Sequence, residues 1–297
     1  MYMAIIVMAA PLSFKTAAAQ DQLVPAQDAA SLLGGERAQG AVIWSHGRSL
    51  QKECSLVPTP DYISAFRAAG WDTFRLNRPS IIDTLPDSAA VLAGAAEGLK
   101  QRGYRRIVLA GQSFGAFISL IAAGRSDAID AVIGTAPAAY GSAESNPAGY
   151  AQNATRLYQL LGTVRRARVA LFFFEGDIFD PGGRASIADE ILAARGLAHL
   201  IVDRPAELPT HWAAATIAFA GQYGSCLAAF VGGASPVKIP DCGPQAALPR
   251  VAGKGGPPPS PARSRLKSLP QENLTSVIDL EIGGREYVRR GRALGRR

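Results

Sequence analysis

Short apolar segments of strand length alternate with longer helical patterns between residues 41 and 231, and this alternation strongly limits the possible folds. The predicted strands span 41–44, 71–76, 106–110, 131–134, 169–174 and 198–202. The predicted helices span 62–70, 88–102, 114–123, 148–161, 185–195 and 212–231. Strands that are joined through helices form a parallel sheet with helices on both faces. The apolar strand 106–110 suits a sheet that is buried on both sides, whereas no firm strand pattern precedes Gly40.

The basic charge of the chain lies in its last part. The sequence has 297 residues and a formal net charge of +7. From Gly243 onward there are 11 Arg or Lys residues against 4 Asp or Glu residues, so the rest of the chain is neutral. A neutral body argues against a nucleic-acid surface in the folded part, where clustered Lys and Arg would be expected. We therefore predict a folded domain over 20–242 and a disordered, Pro/Gly-rich basic tail over 243–297.

The N-terminus has the pattern of an export signal. An apolar run precedes small residues at 17–19, which predicts a signal peptide over 1–19 and an exported protein, periplasmic or secreted. No Lys or Arg precedes the apolar run, so a membrane anchor and a buried segment remain alternatives. The run is too short to span a bilayer comfortably, and no transmembrane span is predicted.

The chain has three cysteines, Cys54, Cys226 and Cys242. In an exported protein we predict a disulfide between Cys226 and Cys242, the pair nearest in sequence. The alternative is three unpaired thiols. The cysteine spacing does not resemble a metal site, and we predict neither a metal nor a cofactor.

The segment Gly111-Gln112-Ser113-Phe114-Gly115 has the pattern G-x-S-x-G between a predicted strand and a predicted helix. The motif requires this context. The serine hydroxyl then projects above the sheet edge, and its neighbours two positions away must be small because strand and helix nearly collide. The helix N-terminus directs backbone N–H groups at the site. The motif therefore predicts that Ser113 is a nucleophile; the alternative is a serine in an ordinary turn.

A serine hydroxyl is a poor nucleophile without a base, and the candidates are His46, His199 and His211. His199 lies inside a predicted strand, and His46 directly follows one. His211 follows the last predicted strand and is the last histidine of the chain, as the order Ser, acid, His demands. We therefore predict His211 as the general base.

The base needs an acidic partner that orients it. The best placed acids follow the predicted strand 169–174: Asp177 is ranked first, Asp180 second and Glu175 third. Asp180 precedes a Pro-Gly-Gly sequence, so it also suits a turn before a helix.

The region from about residue 41 to 231 resembles the α/β-hydrolase superfamily, and most closely its small dienelactone-hydrolase-like and esterase-like members. The motifs that carry the resemblance are His46-Gly47, the pentapeptide 111–115, the acidic loop 177–181 and Thr210-His211. The resemblance implies an α/β-hydrolase fold, with a mostly parallel central sheet, helices on both faces and little or no lid. It also implies an oxyanion hole formed by the backbone N–H groups of Arg48 and Phe114.

The resemblance further implies a serine hydrolase that cleaves an ester or similar acyl bond of a small molecule through a covalent acyl-enzyme. One alternative is an inactive binding protein with the same fold, and another is a peptidase or acyltransferase that uses the same triad. The sequence departs from the family pattern at Phe174 and Thr210, where a glycine is usual. A nucleotide-binding Rossmann fold would need a glycine-rich loop after an early strand, where this chain has residues 46–49 instead.

Overall fold

The described part of the chain is built around a seven-stranded sheet. The structure is a computed structural model and describes residues 22–79, 81–233 and 242. The strands are β1 (Leu23–Pro25), β2 (Ala41–Ser45), β3 (Asp72–Leu76), β4 (Ile107–Gln112), β5 (Ala131–Thr135), β6 (Arg168–Phe173) and β7 (His199–Asp203). Their order across the sheet is β1-β3-β2-β4-β5-β6-β7. Only β1 is antiparallel to its neighbour, β3, so the predicted parallel sheet is confirmed with one antiparallel edge strand.

Helices cover both faces of this sheet. They are α1 (Tyr62–Ala68), α2 (Leu85–Gln101), α3 (Phe114–Arg125), α4 (Pro147–Tyr150), α5 (Gln152–Thr163), α6 (Arg184–Ala194) and α7 (Ile217–Gly232). One apolar core joins the sheet to α2, α3, α5 and α6, and a second joins it to α1 and α7. Ile107 and Leu109 of β4 enter the first core, whereas Val108 and Ala110 enter the second. Because successive side chains point to opposite faces, β4 must be apolar throughout.

The chain between β5 and β6 packs against the sheet through α5. Leu157, Leu160 and Leu161 of α5 are buried in the first core. The helix predicted over 148–161 is divided at Ala151, because Asn146 caps a separate turn, α4. Its side chain accepts a hydrogen bond from the Gly149 N–H at 3.1 Å.

The helix predicted over 212–231 is wrong in its first five residues. A short 3-10 turn spans Ala213–Ala215, and α7 begins only after Thr216, whose backbone is extended. The Thr216 hydroxyl accepts a hydrogen bond from the Phe219 N–H at 3.2 Å and so caps α7. Trp212 therefore lies outside the helix and is exposed.

The disulfide joins α7 to the last described residue. Cys226 and Cys242 are bonded as predicted, with their Cα atoms 5.5 Å apart. Within the described ranges, no helix has both the length and the apolarity to cross a bilayer. The signal peptide predicted over 1–19 and the basic tail predicted over 243–297 lie outside the described residues.

Candidate active site

Ser113 occupies a strained turn between β4 and α3. Its φ of 55° and ψ of −117° are rare for a residue with a side chain. Such strain persists only where the surroundings enforce it, and here the Ser113 N–H donates to the Thr135 carbonyl of β5 at 2.9 Å. The serine is only half-buried, so this turn presents its hydroxyl at the carboxyl edge of the sheet.

The two glycines of the pentapeptide allow this turn to form. A Cβ atom at Gly111 would overlap the Gly115 carbonyl, and one at Gly115 would overlap the Ser45 carbonyl of β2. Neither backbone atom can move without displacing a strand or the start of α3. The structure therefore gives a direct steric reason for the small residues that the motif requires on either side of Ser113.

His211 and Asp177 form a buried pair at the same edge. The His211 Nδ1 atom lies 2.8 Å from the Asp177 Oδ1 atom, and both side chains are at least nine-tenths buried. The Phe179 N–H also donates to Asp177 Oδ1, at 2.9 Å. An ionised carboxylate is an acceptor only, so Nδ1 must carry the imidazole proton and the neutral ring keeps Nε2 as its basic nitrogen.

Two contacts hold the loop that carries His211. The Thr210 N–H donates to the Glu175 carbonyl, just after β6, at 2.7 Å. Nε2 of Gln112, the residue before Ser113, donates to the His211 carbonyl at 3.4 Å. In this rotamer the Ser113 hydroxyl donates to the Ala138 carbonyl at 3.4 Å. The structure describes both Ser113 and His211 and shows no hydrogen bond between them.

The other two candidate acids have different partners. Asp180 forms a 2.6 Å ion pair with the buried Arg184 and accepts a hydrogen bond from the Gly182 N–H at 2.8 Å. Glu175 is exposed, and its carboxylate lies 3.3 Å from Arg204. Of the three acids, Asp177 is therefore the one that the structure brings to His211.

The other two histidines, His46 and His199, have partners other than Ser113 and the candidate acids. His199 is the first residue of β7 and so lies at the end of the sheet away from Ser113, where its Nε2 atom is 3.0 Å from Asp189 Oδ1. His46 is buried, with Nδ1 2.6 Å from the Gly47 carbonyl and Nε2 3.1 Å from the Arg78 carbonyl. Burial, with a smaller contribution from the positive charge of Arg78, lowers the pKa of His46 to about 4. No cluster of three or more potential metal ligands occurs in the described ranges.

The candidate oxyanion segments lie on either side of the serine. A Cβ atom at Gly47 would overlap the Gln112 side chain and would lie 3.3 Å from Ser113 Cβ. The backbone that leads into Arg48 therefore passes beside the nucleophile, while Phe114 follows it directly. The exposed Arg48 guanidinium lies 5.3 Å from the centre of the Phe114 ring, so the two segments are in contact.

Sequence reasoning missed Arg78, two residues after β3. It is buried, forms an ion pair with Asp83, and donates a hydrogen bond to the His46 carbonyl. The available signal was an arginine just past a predicted strand, at the edge where the candidate residues collect, with an acid five residues later.

No protein-family model and no curated protein matches this chain. The fold is similar to that of a puromycin-hydrolysing peptidase from Mycobacterium tuberculosis, with a TM-score of 0.52 and 14% sequence identity. That alignment covers 71% of this chain and 37% of the peptidase. An esterase from Pyrococcus furiosus, Pf2001, aligns with a TM-score of 0.50 and 14% identity over 65% of this chain and 81% of the esterase. At these identities the similarity shows the fold alone.

Proposed function

Because the chain has the α/β-hydrolase fold, we propose that this protein is a serine hydrolase that cleaves an ester or similar acyl bond. Ser113 is the nucleophile, His211 the general base and Asp177 the residue that orients the base. The 2.8 Å contact between the buried His211 and Asp177 side chains, at the edge that carries Ser113, is the observation that carries the proposal.

The reaction begins with a rotation of the Ser113 side chain away from the Ala138 carbonyl and toward His211. His211 Nε2 takes the hydroxyl proton while Asp177 keeps Nδ1 protonated. The serine oxygen then bonds to the acyl carbon, and the carbonyl π electrons move to its oxygen. The N–H groups of Arg48 and Phe114 stabilise the oxyanion, and each such donor contributes a few kcal/mol to the transition state, about 3 kcal/mol.

The second half of the reaction releases both products. Collapse of the tetrahedral intermediate breaks the bond to the leaving alcohol, which takes the proton from His211 Nε2. Ser113 then holds the acyl group as an ester. A water molecule gives its proton to His211 and bonds to the acyl carbon, and the serine leaves with that proton. The acid product and the free enzyme result, so the chemistry needs neither a metal nor a cofactor.

One observation favours a second candidate, a binding protein that keeps the fold without the chemistry. The Ser113 hydroxyl donates to Ala138 and not to His211. A peptidase or acyltransferase with the same three residues is a further alternative, because the same acyl-enzyme can form from an amide or transfer its acyl group to another acceptor.

A fluorophosphonate probe tests for an activated serine. The wild type should be labelled and should hydrolyse p-nitrophenyl acetate, whereas Ser113→Ala and His211→Ala should do neither. Ser186→Ala, an exposed serine of α6, and His199→Ala, a histidine paired with an aspartate away from the site, are the matched controls. Both controls should react like the wild type. A folded wild type that resists the probe would overturn the proposal in favour of the binding protein.

We also propose that the protein is exported to the periplasm or secreted, because disulfides form and persist in oxidising compartments and Cys226 is bonded to Cys242. Expression of the full chain should give a mature protein that begins at Gln20. Mass spectrometry of the intact protein checks this, and a disulfide-bonded product that keeps residues 1–19 would contradict cleavage at that position.

A further inference from the structure

A buried arginine lies where β2 and β3 end, next to the candidate oxyanion hole. Arg78 is 2% exposed, although arginine is almost never this buried unless it is paired. Its partner Asp83 is buried as well, and the second oxygen of Asp83 accepts a hydrogen bond from the Ser88 hydroxyl. The guanidinium group is therefore held in one place by a carboxylate that is itself held by α2.

The guanidinium also binds the main chain of the neighbouring strand. Nη2 of Arg78 donates to the His46 carbonyl, while the His46 ring lies 3.1 Å from the Arg78 carbonyl. A neutral imidazole has one N–H, so the His46 ring can donate to the Arg78 carbonyl or to the Gly47 carbonyl, and the bond from Nη2 of Arg78 joins the two segments in either case. The contact fixes the peptide unit immediately before Gly47.

The next peptide unit contains the Arg48 N–H, one of the two candidate oxyanion donors. The Gly47 carbonyl and the Arg48 N–H belong to one planar unit, and they point in opposite directions. The Nδ1 atom of the His46 ring lies 2.6 Å from that carbonyl oxygen. Arg78 holds the adjoining peptide unit through the His46 carbonyl and thereby limits the directions that the Arg48 N–H can take.

Arg78 also reaches the second oxyanion segment. Its guanidinium carbon lies 5.3 Å from the centre of the Phe114 ring, at the start of α3. Burial lowers the pKa of Arg78 to about 9, which reflects the cost of keeping the charge out of water. A buried ion pair contributes little net stability compared with apolar side chains, whereas a planar group that bridges a carboxylate and a carbonyl defines a geometry that lysine cannot reproduce.

We propose that Arg78 is a positioning residue for the oxyanion hole, which it sets by bridging Asp83 and the His46 carbonyl so that the Arg48 N–H points at the substrate oxygen. This inference rests on the proposed serine hydrolase function. Arg78 itself does not touch the substrate, so its loss should impair the reacting geometry and leave substrate binding and the acid–base pair intact.

The test uses Arg78→Lys in the full chain. A lysine can reach the carboxylate or the carbonyl but cannot bridge both. Arg106→Lys is the control, since Arg106 precedes β4 at the opposite edge and also donates to a main-chain carbonyl, that of Gly232. For p-nitrophenyl acetate, Arg78→Lys should lower kcat about 100-fold, the effect of a catalytic group misplaced by about 1 Å. The control should keep the kcat of the wild type.

Two further readouts separate positioning from a structural role. The KM should stay within about twofold of the wild type, and the midpoint of the pH profile of kcat/KM within about 0.3 pH unit, because His211 and Asp177 are unchanged. An aryl boronic acid, which forms a tetrahedral adduct on the serine, should bind about 100-fold more weakly to Arg78→Lys. Asp83→Asn removes the charge that anchors Arg78, and it should shift kcat and boronate affinity in the same direction by about tenfold.

The outcomes distinguish this proposal from the one on which it rests. An active wild type together with a folded Arg78→Lys that keeps kcat and boronate affinity overturns the positioning role alone. If Arg78→Lys does not fold, the same result with Asp83→Asn overturns it. A folded wild type that neither hydrolyses esters nor reacts with the fluorophosphonate overturns both proposals.

Discussion

Two aspartates three positions apart in one loop have opposite surroundings, and this contrast separates their roles. Asp177 faces His211 and has a second carboxylate oxygen, Oδ2, that is buried and has no hydrogen-bond partner among the described residues. Asp180 instead neutralises the buried guanidinium of Arg184, which in turn donates to the Pro137 carbonyl. In the proposed mechanism the first carboxylate orients the base, whereas the second joins the loops that follow β5 and β6.

We expect Asp177→Asn to lower kcat by about 10³- to 10⁴-fold with little loss of stability, because an amide N–H would face His211 Nδ1 and force the wrong tautomer. Asp180→Asn should instead lower the stability and leave kcat unchanged. It leaves Arg184 buried and unpaired, which costs about 3–5 kcal/mol of unfolding free energy, while the folded fraction keeps its kcat. Steady-state kinetics and urea unfolding measure the two effects. A large loss of kcat in a folded Asp180→Asn would instead favour Asp180 as the acid.

His46 should make the stability of the fold depend on pH. Its folded pKa of about 4 lies below the ordinary histidine value of 6.5, so between these two pH values the unfolded chain binds more protons than the folded chain. The unfolding free energy therefore falls as the pH drops from 6.5 toward 4, by about 3 kcal/mol at about 1.4 kcal/mol per pKa unit. Above pH 6.5 the contribution no longer changes.

Urea unfolding of the wild type and of His46→Gln at pH 7 and pH 4.5 measures this effect. The stability lost between the two pH values should be smaller in His46→Gln, because the other titrating groups are common to both proteins. An equal loss in both proteins would show that His46 is not the group responsible.

The sequence predicted the pair of side chains that the structure brings into contact, His211 and Asp177. Few histidines were available, chain order selected His211, and the position just after the predicted strand 169–174 ranked Asp177 first. Arg78 could not be found in that way, because the chain has many arginines and only tertiary packing shows which of them are buried. Its partner carbonyl at His46 is 32 residues away, and no local pattern encodes that contact.

At the level of elements, the steric demand of the turn between β4 and α3 gives a sharp prediction for Gly115→Ala. The new methyl group would overlap the Ser45 carbonyl of β2, so we expect a loss of about 1–3 kcal/mol in unfolding free energy. The shift should also lower kcat, because Ser113 is two residues away. Gly162→Ala in α5 is the control, since its new Cβ would meet nothing within 4 Å.

That control should gain about 0.5–1 kcal/mol from the higher helix propensity of alanine. Urea unfolding of the two variants beside the wild type measures the contrast. A Gly115→Ala protein as stable as the wild type would show that β2 and α3 can separate enough to accept a side chain.

Element boundaries were less predictable than element types. The strands were found because β4, β5 and β6 are apolar on both faces, whereas the end of a helix depends on one or two capping groups. Thr216 begins α7 and Asn146 begins α4 through single side-chain hydrogen bonds, and an apolar pattern running across Thr216 conceals the cap. β1 was not predicted, because a strand of three residues is too short to show an alternating pattern.

At the level of the whole molecule, the net positive charge and the disulfide lie in different parts of the sequence. The excess of Arg and Lys lies after Gly243, whereas the disulfide ends at Cys242 and joins it to α7 within the second core. The residues on which the proposed chemistry depends all lie in the neutral body, so we expect that chemistry to proceed without the basic segment.

Truncation after Gly243 should therefore leave kcat and Tm unchanged, whereas Cys242→Ser in the full chain should destabilise the protein. The bond closes a loop with a sequence separation of 16 residues, and a loop of that length contributes about 3 kcal/mol, chiefly by restricting the unfolded chain. For a body of this size the Tm should fall by about 6–12 °C. Cys54→Ser is the control, because Cys54 is not part of the disulfide.

Differential scanning fluorimetry with and without dithiothreitol completes the comparison. The reductant should lower the Tm of the wild type, of the truncated protein and of Cys54→Ser. It should not change the Tm of Cys242→Ser, which lacks the disulfide. A truncated protein that melts lower than the full chain under oxidising conditions would show that residues after 243 contribute to the stability of the body. Equal Tm values for Cys242→Ser and the wild type would show that α7 is held by its apolar packing alone.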